Sequence, residues 1–162
     1  MINLKKVIRN IPDFPKKGVV FRDITPLLKD AEAFRYSVDT LAGKYEDTEI
    51  DAILGAEARG FIFGAALAYK LGVGFIPVRK PGKLPFDTCQ VSYSLEYGEN
   101  ILEMHLDAVK PGDKILIVDD LVATGGTAKA KAELVEQRGG RVIGFCFLVE
   151  LEFLNPRDLL KG

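Results

Sequence analysis

Hydrophobic positions recur along this chain with two different periods. From Leu27 on, Ala31, Phe34, Val38, Leu41 and Tyr45 follow at steps of three and four residues, the stripe of one long helix that either Thr25-Pro26 or Asp30 would start. Asp51 to Ala56 reads as a short strand, Gly60 to Leu71 as a helix with an alanine-rich face, and Gly72 to Lys80 as the next strand. "KILIVDD", ending at Asp119 and Asp120, has the unbroken apolar run of a strand buried on both faces of a parallel sheet. Thr127 to Arg138 reads as a helix closed by Gly139-Gly140, and Arg141 to Glu150 as the last strand. Strand and helix in alternation predict an α/β fold, a mostly parallel central sheet flanked by helices.

Two stretches follow neither period. "IPDFPKKGVVFRDITP", residues 11–26, predicts a separate flap or hood, taken as about 10–26. "PGKLPFDTCQVSYSLEYGEN", residues 81–100, is rich in turn formers and polar residues and predicts a mobile loop or extended β-arm, taken as about 80–98. The alternating "ILEMHL" after it is a strand in which His105, the only histidine, packs or faces solvent.

The chain of 162 residues is long enough for one domain, residues 1–162, with a single core. Its net charge of -1 gives no electrostatic footprint for nucleic acid or anionic membrane, so any site has to be local. Cys89 and Cys146 lack metal-ligand spacing and fit a reduced compartment. The opening "MINLKKVIRN" lacks the apolar stretch of a signal peptide, and no run approaches the roughly 20 apolar residues of a membrane span. The expectation is a cytoplasmic protein without nucleic-acid or membrane partners.

The chemistry concentrates in "IVDDLVATGGTAKA", residues 117–130. Ala123, Gly125 and Gly126 let the backbone curl around an anion where a helix starts and its dipole is positive, and Thr124 and Thr127 add hydroxyl donors. A side chain at Gly125 would occupy the anion's space while leaving the fold largely intact. No lysine stands between Asp120 and Lys129, which disfavours a nucleoside triphosphate and favours a monophosphate. Asp119 and Asp120 supply acceptors that suit a vicinal diol. Phosphate and diol together indicate a ribose 5-phosphate.

These residues resemble the phosphoribosyl pyrophosphate motif of the type I phosphoribosyltransferases. "GVVFRDITPLL", "EARGFIFGAALA", "VRKPGKLP", "SLEYG" and "DAVKPGDKILIVDDLVATGGTA" extend the resemblance, in order and spacing, to the adenine phosphoribosyltransferase family. The resemblance implies that adenine and phosphoribosyl pyrophosphate give AMP and pyrophosphate with Mg2+, in purine salvage, by a homodimer. It makes Ala123, Thr124, Gly125, Gly126 and Thr127 the 5-phosphate site. Asp119 and Asp120 would hold the ribose hydroxyls, directly or through hydrated Mg2+, the metal being bound mainly by substrate and water. In the turn Glu57-Ala58-Arg59, with a cis peptide at Glu57-Ala58, Arg59 takes pyrophosphate. Arg79, Lys83 and Lys80 bring cations to the loop over the leaving group, with Arg79 reaching the neighbouring subunit. Glu96 handles the purine proton and Tyr97 shapes the closed loop. Phe21 and Leu121 sandwich adenine, while backbone groups of Val20 and Arg22 read its edge. The chain departs from the family's pattern at Phe86, often polar or charged, and in stopping soon after its last strand. The competing readings are a regulator that keeps the site without catalysis, and an enzyme acting on xanthine, hypoxanthine or orotate.

Overall fold

The computed structural model describes residues 2–95 and 98–160, and the chain divides into two compact units, one ending at Lys44 and one beginning at Tyr45. The first unit holds helix α1 (Leu4–Val7), strands β1 (Arg9–Pro12) and β2 (Val20–Asp23), and helices α2 (Thr25–Lys29) and α3 (Ala31–Ala42). β1 and β2 form a two-stranded antiparallel ribbon, in register from Arg9 opposite Asp23 to Pro12 opposite Val20.

The single long helix predicted from Leu27 is two helices, because both candidate start signals are used. Pro26 sits in the first turn of α2, where its missing N–H costs nothing. Asp30 then turns extended, at φ −82° and ψ 106°, and its carboxylate accepts the amides of Glu32 and Ala33 at 3.0 Å each. It is the N-cap of α3. The buried stripe of α3 is Ala33, Ser37, Val38, Leu41 and Ala42, with Phe34 only half-buried.

In the second unit four parallel strands lie in the order β4-β3-β7-β8, with β3 at Ala52–Ala56, β4 at Gly74–Val78, β7 at Lys114–Val122 and β8 at Arg141–Glu150. The α/β reading of the sequence is therefore met. β7 lies between β3 and β8, and Ile115 to Val118 are wholly buried, as the unbroken apolar run requires. Helices α4 (Arg59–Leu71) and α5 (Gly126–Gln137) pack on this sheet. The glycines of α4 serve that packing: a Cβ on Gly64 would stand 2.5 Å from the Phe75 ring.

The turn-rich stretch after Lys80 resolves into a β-arm, the hairpin of β5 (Thr88–Leu95) and β6 (Gly98–His105), which joins the end of β4 through a bridge between Arg79 and Glu103. Val91, Leu102 and Met104 tie the hairpin into the core beside Ile76, Val78 and Leu134. Cys89, on β5, is half-buried; Cys146, on β8, is buried. His105 does pack, accepting the Phe86 amide at Nε2 and meeting the Phe86 ring edge-on. Glu103 breaks the alternation expected of "ILEMHL": it is 3% exposed, between the buried Leu102 and Met104. Two short 3-10 turns, Glu152–Leu154 and Pro156–Asp158, follow β8. No helix among the described residues is long and apolar enough to cross a membrane.

Candidate active site

β3 and β7 are adjacent and parallel, so the turns that leave their carboxyl ends open onto one side of the sheet, where α/β proteins place ligands. There a cavity of about 470 Å³ is lined by Glu57 to Gly60, the turn after β3 and the start of α4, and by Asp119 to Ala128, the end of β7, the turn after it and the start of α5. Thus Glu57, Ala58, Arg59, Asp119, Asp120, Leu121, Ala123, Thr124, Gly125, Gly126 and Thr127, singled out in the sequence far apart, share one cavity. The Glu57-Ala58 peptide is cis, as the resemblance implies.

The second turn has the geometry of an anion cradle. Gly125 is left-handed at φ +93°, a conformation that favours glycine, and caps α5, whose first residue is Gly126. No side chain caps this helix end. The hydroxyl of Thr127 is in turn held 3.3 Å from that of Tyr93, on β5, a contact with the β-arm that the sequence did not disclose.

Each acid of the pair has its own cation. Arg59 Nε lies 2.9 Å from Asp120 Oδ2, an ion pair by distance, yet Oδ2 is buried and receives no aligned hydrogen bond among the described residues. Burial above all, and then the neighbouring Asp119 charge, push the Asp120 carboxyl up to about 6, with Arg59 pulling the other way. Asp119 Oδ2 accepts from Lys131 Nζ at 2.7 Å, and Oδ1 accepts the Asp120 amide at 3.0 Å. Lys131, wholly buried, was missed in the sequence because a lysine on an amphipathic helix is ordinarily assigned to solvent. Its position four residues after Thr127, on the face shared with Ala128 and Val135, is the signal that would have found it. Phe147, a second lining residue, carried no such signal.

The loop cations are organised by two carboxylates. Arg79 donates to Glu57 Oε2 through Nε at 3.1 Å and Nη2 at 2.8 Å, and through Nη1 to the carbonyl of Lys83. The Lys80 amide donates to Glu57 Oε1 at 2.8 Å. That amide, and then the Arg79 guanidinium, hold the Glu57 carboxyl below its ordinary range. Buried Glu103 gathers the loop itself, accepting the amides of Lys83 and Leu84 at 3.3 Å and Gln90 Nε2 at 3.1 Å. Lys80 and Lys83 are exposed.

Val20, Phe21 and Arg22 form β2 of the first unit. In the ribbon Phe21 stands opposite Ile11 and Arg22 opposite Asn10. Phe21 meets Phe14 edge-to-face at 5.3 Å. Glu96 and Tyr97 lie outside the described residues.

For a metal, the available donors are the hard carboxylate oxygens that Mg2+ prefers, with the buried Asp120 Oδ2 lacking an aligned donor. The described residues hold no group of three or more His, Cys, Asp or Glu able to hold a metal ion. The site fits an ion held chiefly by a ligand's own oxygens and water, with one carboxylate contributing.

The pattern of the phosphoribosyl transferase domain family matches residues 27–157. Over 160 residues the chain is 59% identical to the adenine phosphoribosyltransferase of Thermosipho africanus, spanning 99% of this chain and 94% of that one. The crystal structure of adenine phosphoribosyltransferase from Thermoanaerobacter pseudethanolicus superposes with a TM-score of 0.95 at 59% identity, covering 98% of this chain and 92% of that chain. The Saccharomyces cerevisiae enzyme, complexed with adenine and an imino-altritol bisphosphate, superposes with a TM-score of 0.92 at 40% identity, covering 98% and 93%.

Proposed function

The chain belongs to the phosphoribosyltransferase family, among its adenine phosphoribosyltransferases, and from that premise we infer how its residues convert adenine and phosphoribosyl pyrophosphate to AMP and pyrophosphate. It is a pentosyltransferase of purine salvage. The observation that carries the reading is the shared cavity, in which an anion cradle, an acid pair and the Arg59 turn converge.

The backbone amides of Ala123 to Thr127 bind the 5-phosphate, helped by the Thr124 and Thr127 hydroxyls and by the positive end of α5. Asp119 and Asp120 accept from the ribose hydroxyls and favour the positive charge that develops at C1 as pyrophosphate departs. Arg59 takes that pyrophosphate, and Arg79 and Lys83, with Lys80 beside them, close over it. Phe21 and Leu121 offer stacking surface to adenine, and backbone groups near Val20 and Arg22 offer a carbonyl to its amino group and an N–H to N1. Neither main-chain group can reverse its polarity for the opposite pattern of hypoxanthine. Glu96 relays the proton that the purine nitrogen loses on bonding to C1, with Tyr97 shaping the closed loop. Asp119 or Asp120, together with substrate oxygens and water, would hold Mg2+, which would supply charge neutralisation for the leaving group. The enzyme works as a homodimer in the cytoplasm.

The test is direct. With phosphoribosyl pyrophosphate and Mg2+, adenine is expected to give AMP, with kcat/KM about 10⁴-fold above that for hypoxanthine, as sites that read polar edges achieve. Comparable values for the two bases overturn the assignment.

A further inference from the structure

We propose that Lys131 is a positioning residue for phosphoribosyl pyrophosphate, acting through Asp119; this rests on the assignment of that substrate to the cavity. An ammonium group taken wholly out of water is costly unless paired, and Lys131 is 0% exposed. Its partner is the Asp119 carboxylate, whose side chain keeps 16% of its surface exposed and lines the cavity. The pair is therefore sealed at the cation and open at the anion.

The carboxylate is fenced as well as paired. Lys131 Nζ holds Oδ2 at 2.7 Å, the Asp120 amide holds Oδ1 at 3.0 Å, and a Cβ on Gly60 would come within 2.7 Å of Oδ1. Only glycine at position 60 lets α4 approach this closely. Two charged hydrogen-bond contacts and one steric wall fix the plane of the carboxylate before any ligand arrives, which is what preorganisation of an acceptor for a diol requires.

Charge gives the second reason. Asp119 and Asp120 are adjacent in sequence and face a substrate that is itself a polyanion, so an uncompensated acid pair would repel it. Arg59 offsets Asp120 from the cavity wall, and Lys131 offsets Asp119 from inside the core. The same helix does both halves of the work: the first turn of α5 makes the phosphate cradle, and its next turn carries the buried cation. Phosphate and ribose are thereby registered against one rigid element.

The experiment is a double-mutant cycle read by calorimetric binding of phosphoribosyl pyrophosphate, with and without Mg2+, alongside thermal melting. Lys131→Met keeps the apolar stem and removes the charge; Asp119→Asn keeps the shape and removes the anion. Wild-type protein is expected to bind, and Lys131→Met to weaken Kd by about 10- to 100-fold, the range for an orphaned buried partner of a charged hydrogen bond. In the Asp119→Asn background the same change is expected to leave Kd where Asp119→Asn alone puts it. Steady-state kinetics should agree, with Lys131→Met raising KM for phosphoribosyl pyrophosphate and leaving KM for adenine unmoved. A Kd loss that adds fully to that of Asp119→Asn overturns the proposal, as does a Lys131→Met chain that melts lower but binds like wild type. Should Lys131→Met not fold, the double variant against Asp119→Asn reads the same quantity: equal Kd supports the role and a further loss overturns it. Failure of the wild type to bind would instead remove the substrate assignment and this role with it.

Discussion

At Gly125 and Gly126 two neighbouring glycines have different reasons to be glycine. Gly125 has φ +93°, and a Cβ there would stand 3.1 Å from the Pro156 carbonyl oxygen and 3.5 Å from Leu159. A Cβ on Gly126 would meet nothing nearer than Tyr93 at 3.8 Å. The sequence reads a side chain at Gly125 as leaving the fold largely intact; the packing of the last turn against Gly125 is not legible there, since it joins residues some thirty positions apart with no shared motif. Gly125→Val is now expected to lower Tm by several degrees, whereas Gly126→Ala should keep Tm nearly unchanged while weakening phosphoribosyl pyrophosphate binding by about tenfold. Melting curves beside calorimetry separate the two, and equal loss of Tm in both variants would refute the distinction.

Asp120 gives a prediction in pH. Its carboxyl is pushed up from an ordinary 3.8 to about 6, so the folded chain holds this proton more tightly than the unfolded chain does. The resulting stabilisation is fully present below about pH 3.8 and is lost as pH rises through about 6. Asp120→Asn resembles the protonated form, so it is expected to melt above the parent at pH 7.5 and to converge with it toward pH 4. A gap in Tm that does not change with pH would count against a raised value.

Among the elements, α2 and α3 show what a periodic stripe hides. The steps of three and four from Leu27 to Tyr45 run straight through Asp30, although Ala31 is exposed and the buried stripe of α3 begins at Ala33, and only the capping chemistry of Asp30 marks the break. Removing that cap with Asp30→Ala is expected to cost about 1 kcal/mol, read as a lower urea midpoint with unchanged slope. A variant as stable as the parent would mean that the break is held by something other than the cap. The strands of the parallel sheet were legible, since burial on both faces leaves a plain mark in sequence, but β7 does not stop at the acid pair: it runs on through Leu121 and Val122, which pair with Val149 and Glu150 of β8. Lys131 and Glu103 were not: a charge with a buried partner looks, in a sequence, like a charge in water, and their partners lie on other elements.

For the molecule as a whole, the cavity brings together segments 57–60 and 119–128, and the order of strands is what makes them neighbours. That adjacency follows from β3 pairing with β7, a crossover that no local motif encodes. Arg79, held to Glu57 within its own chain, would have to release that pair to serve a neighbouring subunit. If the site is completed across a dimer, mixing inactive Arg79→Ala chains with inactive Asp120→Ala chains should restore activity, to at most about a quarter of wild type per chain, because one site of each mixed dimer is intact. Persistent inactivity after demonstrated subunit exchange would show each site to be self-sufficient.

The two thiols form a built-in clock for the β-arm. Cys89 is half-buried on the hairpin, its thiol pushed up by burial, and Cys146 is buried on the sheet. A small disulfide reagent has a path to half-buried Cys89, slowed by packing around the arm, and reaches buried Cys146 only through opening of the sheet. Two reaction rates, timed with and without bound substrate, therefore compare how substrate tightens the arm around Cys89 with how it tightens the sheet around Cys146.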